Sequence, residues 1–288
     1  MEPRQLEGLL KPLFSRYSFC ATGERTFEFN PFSVRADKLK VLERYGFNRI
    51  SMGVQSFRPD VLKRENRGYQ TYETVAKAIG LILGRGRFAL NVDLLVGLRG
   101  DGQGSFLNTL DALLALKPNM VTVYPVKATV PYLDRHYCGD ARRFDEDVAR
   151  RYGDVGPRAA AVARKHGYFW RPERLSLQDN DWLIKREPAP KFDYVYDDIA
   201  PHPVSVFALG PTARSRIAGE LVCRQEGAPA AGFCPTDKVW RGLRLTRRWE
   251  MRKFVLRELL DRGALSPARF PGLFGRDQRA VIPEALNA

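Results

Sequence analysis

Cysteine is scarce and scattered in this sequence. The four, Cys20, Cys138, Cys223 and Cys234, lie too far apart for any common metal or redox motif. A chain of 288 residues buries enough surface to dispense with disulfide staples, so a reduced, cytoplasmic protein is expected. Histidine is scarcer still: His136, His166 and His202 do not stand at zinc-ligand spacing. No apolar run reaches the roughly 18 residues of a membrane span. Met1 to Arg16 alternates charged and apolar residues and lacks the continuous apolar core of a secretion signal. Membrane association is therefore not expected. Acidic residues are also in deficit, 33 against 47 basic ones, which gives a net charge of +14. The excess is spread along the chain as arginine, and no nucleic-acid-binding module is visible, so nucleic acid is not an expected partner.

What is present is an alternation of short apolar runs with helix-like segments. Leu6, Leu9, Leu10, Leu13 and Phe14 recur at helical spacing and predict an opening amphipathic helix. Strands are predicted at Thr26 to Phe29, Arg49 to Val54, Phe88 to Val96 and Met120 to Tyr124. Between them, helices are predicted at Ala36 to Tyr45, Asp60 to Glu65, Tyr72 to Gly84 and Ser105 to Leu116, with Ser105 as N-cap. This order is that of a parallel sheet wound by right-handed crossovers. Further on, the pattern predicts one long helix over Asp145 to Lys165, bent near Gly153 to Pro157. It then gives a strand at Val204 to Leu209, a basic helical stretch from Val239 to Leu260 and a peripheral tail from Pro267.

Four polar side chains follow or interrupt the early strands: Glu28, Gln55, Arg67 and Asp93. Parallel sheets place ligands at one end of their strands. Carboxylates there accept hydrogen bonds from a ribose or an amino group, Gln55 both donates and accepts, and Arg67 matches a carboxylate with two parallel donors. Plain structural roles fit three of them: a cap for Glu28, a loop bond for Gln55, a surface charge for Arg67. Asp93 resists such a role, because an unpaired carboxylate inside an apolar strand is costly.

The succession Glu28-x-Asn30-Pro31, Arg49-Ile50-Ser51-Met52-Gly53-Val54-Gln55-Ser56-Phe57, Asn66-Arg67 and Asn91-Val92-Asp93-Leu94-Leu95-x-Gly97-Leu98 resembles radical S-adenosylmethionine (SAM) proteins of the oxygen-independent coproporphyrinogen III oxidase-like kind. Val121 to Tyr124 resembles that family's sixth barrel strand, and Val206 to Ser215 its glycine-rich segment. The resemblance implies an α/β fold: a partial, TIM-like (βα)6 radical SAM barrel, here missing its first two strands, plus a small C-terminal α/β region. It implies a truncated barrel over residues 1–130, a barrel-completing and substrate-side region over 131–235, and a small helical region over 236–288. It carries Glu28, Gln55, Arg67 and Asp93 onto positions that contact SAM. A 4Fe–4S cluster, a 5′-deoxyadenosyl radical that abstracts hydrogen, a small acidic tetrapyrrole-like substrate and an electron donor such as flavodoxin or ferredoxin are the family's remaining parts. The outcome of such chemistry is substrate oxidation or radical methylation.

The sequence departs from that family in one large respect. The Cys-x-x-x-Cys-x-x-Cys loop that holds the cluster is absent, as is the glycine-rich segment after it. No metal ligands are therefore expected in this chain, and the chain alone is not expected to cleave SAM. A fragment or a start set too late is the first expectation. A degenerate paralogue that binds SAM or a tetrapyrrole without catalysis is the alternative, and a cluster-bearing part supplied by a separate chain is a third. Smaller departures are Arg99, where the family has proline, and Arg214, where it has histidine.

Three other features carry less. Gly97 to Gly104 is glycine-rich and precedes a helix, and reads as a flexible loop because it lacks the Gly-Lys-Ser/Thr ending of a phosphate-binding loop. Asp197-Asp198 reads as solvated loop. Arg241, Arg244, Arg248 and Arg252 stand at helical spacing and predict a basic helix face, suited to solvent first, and otherwise to an acidic substrate or partner such as tetrapyrrole propionates or nucleic acid.

Overall fold

The structure is a computed structural model, and it describes residues 1–21, 23–172, 182–186, 205–208, 213–217, 220–225, 240–262 and 269–275. The chain divides into two compact units. One comprises Met1–Arg174 with Asp179–Phe192, the other Leu175–Gln178 with Asp193–Ala288. These limits do not coincide with breaks at 130 and 235: the helices after residue 130 fold with the first unit.

The first unit opens with α1 (Pro3–Arg16) and continues as β1 (Thr26–Phe29), a 3-10 turn (Pro31–Ser33), α2 (Ala36–Arg44), β2 (Arg49–Gln55), α3 (Pro59–Arg64), α4 (Tyr72–Leu83), β3 (Ala89–Val96), α5 (Gln103–Ala115) and β4 (Met120–Pro125). Then follow α6 (Val130–Tyr137), α7 (Ala141–Tyr152), α8 (Gly156–Lys165), β5 (Tyr168–Pro172) and β6 (Trp182–Arg186). The six strands form one sheet in the order β1-β2-β3-β4-β6-β5. The first four pair in parallel, while β6 runs antiparallel to both β4 and β5. The strands and intervening helices expected up to Tyr124 are thus all present.

Alternation along the strands sets up two unlike faces. On one face Ile50, Met52, Val54, Leu90, Val92, Leu94, Val121 and Val123 are wholly buried. They share a core with Leu6 and Leu10 of α1, Leu39 and Leu42 of α2, Ile79 and Ile82 of α4, Leu110 and Leu113 of α5, and Ala159 and Ala163 of α8. Each such side chain contributes about 1.5–3 kcal/mol through removal from water, so this face fixes the register of the sheet. The opposite face carries Glu28, Ser51, Gly53, Asn91, Asp93 and Thr122, side by side as register partners.

Several expectations need correction. The long helix over Asp145 to Lys165 is two helices, α7 and α8, because Gly153 takes a left-handed φ of 51° and ends the first. Ser105 is not the N-cap of α5. The helix starts earlier, with Gly102 at the cap and the Ser105 hydroxyl accepting from the Gly102 N–H. Val206 forms one isolated bridge to Arg216, with no strand over Val204 to Leu209 among the described residues.

In the second unit, β7 (Arg214–Ile217), β8 (Leu221–Gln225) and β9 (Trp240–Arg244) make an antiparallel sheet, followed by α9 (Arg247–Arg262) and α10 (Arg269–Phe274). The basic helical face is therefore not one face. Arg241 and Arg244 lie in β9 and only Arg248 and Arg252 lie in α9. The expected tail after Pro267 holds α10, whose Phe270 is buried against Met251 and Phe254. Asp197-Asp198, His202 and Cys234 lie outside the described residues.

Candidate functional site

Asp93 is the centre of the polar face. It sits in β3 between Val92 and Leu94, two fully buried residues that point into the core. Its Oδ1 accepts from Asn91 Nδ2 at 2.6 Å and its Oδ2 from Ser51 Oγ at 3.3 Å. Burial pushes its pKa up to about 6, the Asn91 hydrogen bond opposes that rise, and the nearby charge of Glu28 adds to it. Ser51 and Arg49 act in the opposite sense, favouring the charged form.

Glu28 lies exposed on β1, in register with Ser51 of β2, and Ser51 is in register with Asn91 of β3. Glu28 and Asp93 are thus two carboxylates on one face, close enough to repel.

Gln55 ends β2 in a left-handed conformation with φ of 70°, at a shift in register between Gly53 and Gln55. Such a conformation is uncommon for a side chain other than glycine and stores about 1–2 kcal/mol. Gln70 holds it from below: its buried side-chain amide donates to the Val54 carbonyl at 2.5 Å and the Ser56 carbonyl at 3.5 Å. The turn brings Gln55 back over Gly53, the register partner of Asp93. A Cβ on Gly53 would stand 2.8 Å from Gln55 Nε2 and 3.9 Å from Arg67 Nη1. Arg67 reaches the same spot from the segment after α3, donating from Nη1 to the Gly53 carbonyl at 3.3 Å. Glycine at position 53 is therefore what lets the Gln55 amide approach the sheet. All four polar residues singled out in the sequence belong to this one face.

Three members of the site were not among those four. Asn91, Ser51 and Thr122 stand on the same face and link into a network, Asn91 and Thr122 fully buried. Asn91 Nδ2 donates to Ser51 Oγ at 2.9 Å, and Thr122 Oγ1 donates to Asn91 Oδ1 at 2.9 Å. The one trace in the sequence was the two-residue spacing of Asn91 and Asp93 in the otherwise apolar β3, and Ser51 and Thr122 left none.

The loop after β3 is pinned, not free. Asp101, 2% exposed, accepts from Ser56 Oγ at 3.2 Å and from the Gly102 N–H at 2.9 Å. Arg151 donates from Nη1 to the Leu98 carbonyl at 2.7 Å and also to the Asp101 carbonyl. Protein groups thus occupy the start of α5, which rules against a phosphate nest there. Arg99 helps to hold the loop. Its N–H donates to Tyr132 Oη at 2.9 Å, a bond proline cannot make, and its guanidinium meets Asp147 at 3.0 Å and lies 4.9 Å from the Tyr137 ring centre. His136 is held by an acidic partner. Its Nε2 stands 3.2 Å from Glu65, and burial pushes its pKa down.

The residues present fit the two parts of the implied cofactor system unequally. Asp93 keeps lone pairs in reserve, the Gln55 side chain makes no hydrogen bond to a described residue, and Arg67 spends one donor on the Gly53 carbonyl. These are the acceptors and donors that an adenosyl and methionyl group requires. The iron–sulfur cluster finds no match. Cys20 and Cys138 are exposed, Cys223 is half-buried, and among the described residues no three histidine, cysteine or acidic side chains gather to hold a metal.

A sheet whose first four strands run parallel and are wound by helices, with a polar face built from successive strands, is the class of structure seen here, and residues 9–113 match the family model described as "Radical SAM superfamily". More particularly, the chain is similar to oxygen-independent coproporphyrinogen III oxidase of Escherichia coli, with 24% identity over 98% of this chain and 64% of that protein. The heme chaperone HemW of Escherichia coli is 35% identical over 41% of this chain and 31% of its own length. The solved structure of coproporphyrinogen III oxidase from Escherichia coli, described as a radical SAM enzyme, shares the fold with a TM-score of 0.75 at 21% identity, covering 100% of this chain and 66% of that one. The resemblance to coproporphyrinogen III oxidase-like radical SAM proteins thus rests on a family model, on relatives and on the fold. The chain spans less than two thirds of the length of these proteins.

Proposed function

We propose that the polar face of β1 to β3 binds S-adenosylmethionine, as part of a radical SAM protein related to oxygen-independent coproporphyrinogen III oxidase. One observation carries the reading: a carboxylate, Asp93, kept in a largely apolar strand against its own desolvation, on the face where Glu28, Gln55 and Arg67 collect. A group held at such a cost in stability is expected to serve binding. Asp93 and Glu28 accept from hydroxyl or amino donors, Gln55 bonds in both senses, and Arg67 neutralises a carboxylate. When bound beside a one-electron source, S-adenosylmethionine supplies a carbon-centred radical able to take hydrogen from an organic substrate. The net charge of +14 suits a small acidic substrate of the tetrapyrrole type. An electron donor such as flavodoxin or ferredoxin would be the protein partner, and a cytoplasmic site of action fits the absence, among the described residues, of any helix able to cross a membrane. We read these strands as the wall of a partial barrel, with the polar face turned to its interior.

A second reading has its own support. No group of side chains among the described residues fits a cluster, and the matched relatives include a protein named as a heme chaperone. On that reading the chain binds S-adenosylmethionine or a tetrapyrrole without catalysis. Anaerobic incubation with iron, sulfide, dithionite and S-adenosylmethionine separates the two. The described residues predict intact S-adenosylmethionine in complex with this chain. Release of 5′-deoxyadenosine would establish the radical reading and place the cluster ligands outside the described residues.

A further inference from the structure

We propose that Asn91 is a positioning residue which, with Ser51 and Thr122, locks the Asp93 carboxylate as a two-oxygen acceptor facing the ligand. The inference deepens the S-adenosylmethionine reading and rests on it for the identity of the ligand, though not for the network itself. Asn91 is 0% exposed and spends its side chain on three hydrogen bonds spread over three adjacent strands. Thr122 Oγ1 on β4 donates to Asn91 Oδ1 at 2.9 Å. The Asp93 carboxylate sets which way round the amide lies, because the reversed amide would aim a carbonyl oxygen at it, and the Thr122 hydroxyl then donates to the Oδ1 left facing it. Asn91 Nδ2 can then donate both to Ser51 Oγ at 2.9 Å and to Asp93 Oδ1 at 2.6 Å. Ser51 Oγ accepts from Asn91, so its one proton is free to go to Asp93 Oδ2 at 3.3 Å. The polarity is therefore one-way: Thr122 to Asn91, Asn91 to Ser51, and both Asn91 and Ser51 to Asp93.

A carboxylate has about four acceptor positions. The network fills one on each oxygen and leaves each oxygen able to accept once more. Two parallel acceptors match a ligand with two neighbouring donors, of which a ribose diol is the simplest. The arrangement also settles the charge state. Glu28 on β1 opposes ionisation of Asp93, and Arg49 on β2 is the cation that favours it. Without donors on both oxygens, a desolvated carboxylate facing Glu28 would take up a proton and present a hydroxyl donor, which inverts what the site recognises.

The test reads Asp93 directly and needs no ligand. In protein labelled at aspartate Cγ, with the Asp93 resonance assigned by its loss in Asp93→Asn, the carboxyl is titrated by NMR. The wild type should titrate near pH 6, and Asn91→Leu and Ser51→Ala should each raise the midpoint by about one pH unit. Thr122→Val, which touches Asn91 and not Asp93, should raise it by less. Ser51→Thr keeps the hydroxyl and should restore the wild-type value. Thr122→Val and Ser51→Ala are conservative enough to test the idea if Asn91→Leu fails to fold. Unchanged midpoints in the folded variants would overturn the proposal. A parallel titration with S-adenosylmethionine keeps the two ideas apart. If the wild type fails to bind while the midpoints move, the ligand is misassigned and the network stands. If binding survives at pH 8 with wild-type affinity in Asn91→Leu, positioning by Asn91 is refuted.

Discussion

Asp93 and Asp147 are both set among neighbours that leave them little water, and those neighbours treat them in opposite ways. Asp147 on α7 accepts from Tyr137 Oη at 2.8 Å, Arg150 at 2.5 Å, Arg151 Nε at 3.0 Å and Arg99 at 3.0 Å. Burial alone would raise its pKa, but the Tyr137 and arginine bonds outweigh burial and hold it well below the usual carboxylate range. Asp93 accepts from Asn91 and Ser51, with no arginine donor among the described residues, and has a second carboxylate nearby, so burial wins. The first carboxylate pins the loop after β3 through Arg99 and Arg151. The second is held ionised at neutral pH against its own burial, and the proposed binding role rests on that.

The largest effect should come from breaking the stabilising member. Asp147→Ala takes the acceptor from the buried Tyr137 hydroxyl and the largely buried Arg151, while Arg150 and Arg99 reach water, and should cost about 3 kcal/mol at pH 7 by urea unfolding. Because the folded pKa of Asp147 is depressed, its contribution is present above the unfolded value near 4 and disappears as pH falls below it. A loss under about 1 kcal/mol would erase the contrast between the two carboxylates.

The opposite sign is expected of Asp93→Asn. With a folded pKa raised to about 6, Asp93 binds its proton more tightly in the folded state. Stability contributed by the protonated group is fully present below about pH 4 and is lost as pH rises through 6. The gap between the folded and unfolded values corresponds to about 3 kcal/mol. Asp93→Asn should therefore be more stable than the wild type at pH 8 by up to about that amount, with little difference at pH 4. A destabilised Asp93→Asn at pH 8 would make Asp93 a structural residue like Asp147.

Arg99→Pro sharpens the comparison from the loop between them. It removes the N–H to Tyr132 and the guanidinium from Asp147, and should cost about 1–3 kcal/mol at pH 7 with S-adenosylmethionine affinity nearly unchanged. Gly53→Ala should do the reverse. The intruding methyl meets the end of the Gln55 side chain, which can swing aside. Stability should fall by less than about 1 kcal/mol while affinity for S-adenosylmethionine drops several-fold, because the Gln55 amide is displaced.

Much of the first unit was legible because its strands and helices are cleanly patterned. The apolar runs at Arg49 to Val54 and Phe88 to Val96 were too short for helices and too apolar for surface strands. Glu28, Gln55, Arg67 and Asp93 stood out as polar interruptions of that pattern. Asn91, Ser51 and Thr122 did not, because small neutral polar residues pass for ordinary strand positions until the register sets them side by side. The register depends on contacts between strands far apart in sequence. α6 was missed because its eight residues carry a proline, Pro131, in the first turn and end at a left-handed Cys138. β9 was misread for a different reason: in Trp240-Arg241-Gly242-Leu243-Arg244 the arginines also fit helical spacing, and only pairing with β8 decides for the strand. Arg99 looked like a defect in a motif, and its value as a partner for Tyr132 and Asp147 depends on α6 and α7 being folded against it.

Isothermal titration with S-adenosylmethionine at pH 8, where Asp93 is ionised, tests the account most directly. The wild type should bind, and both Asp93→Ala and Gln55→Ala should bind at least about tenfold more weakly, the loss of one charge-assisted or buried hydrogen bond. Equal affinity in all three proteins would contradict a ligand site on the polar face of these strands.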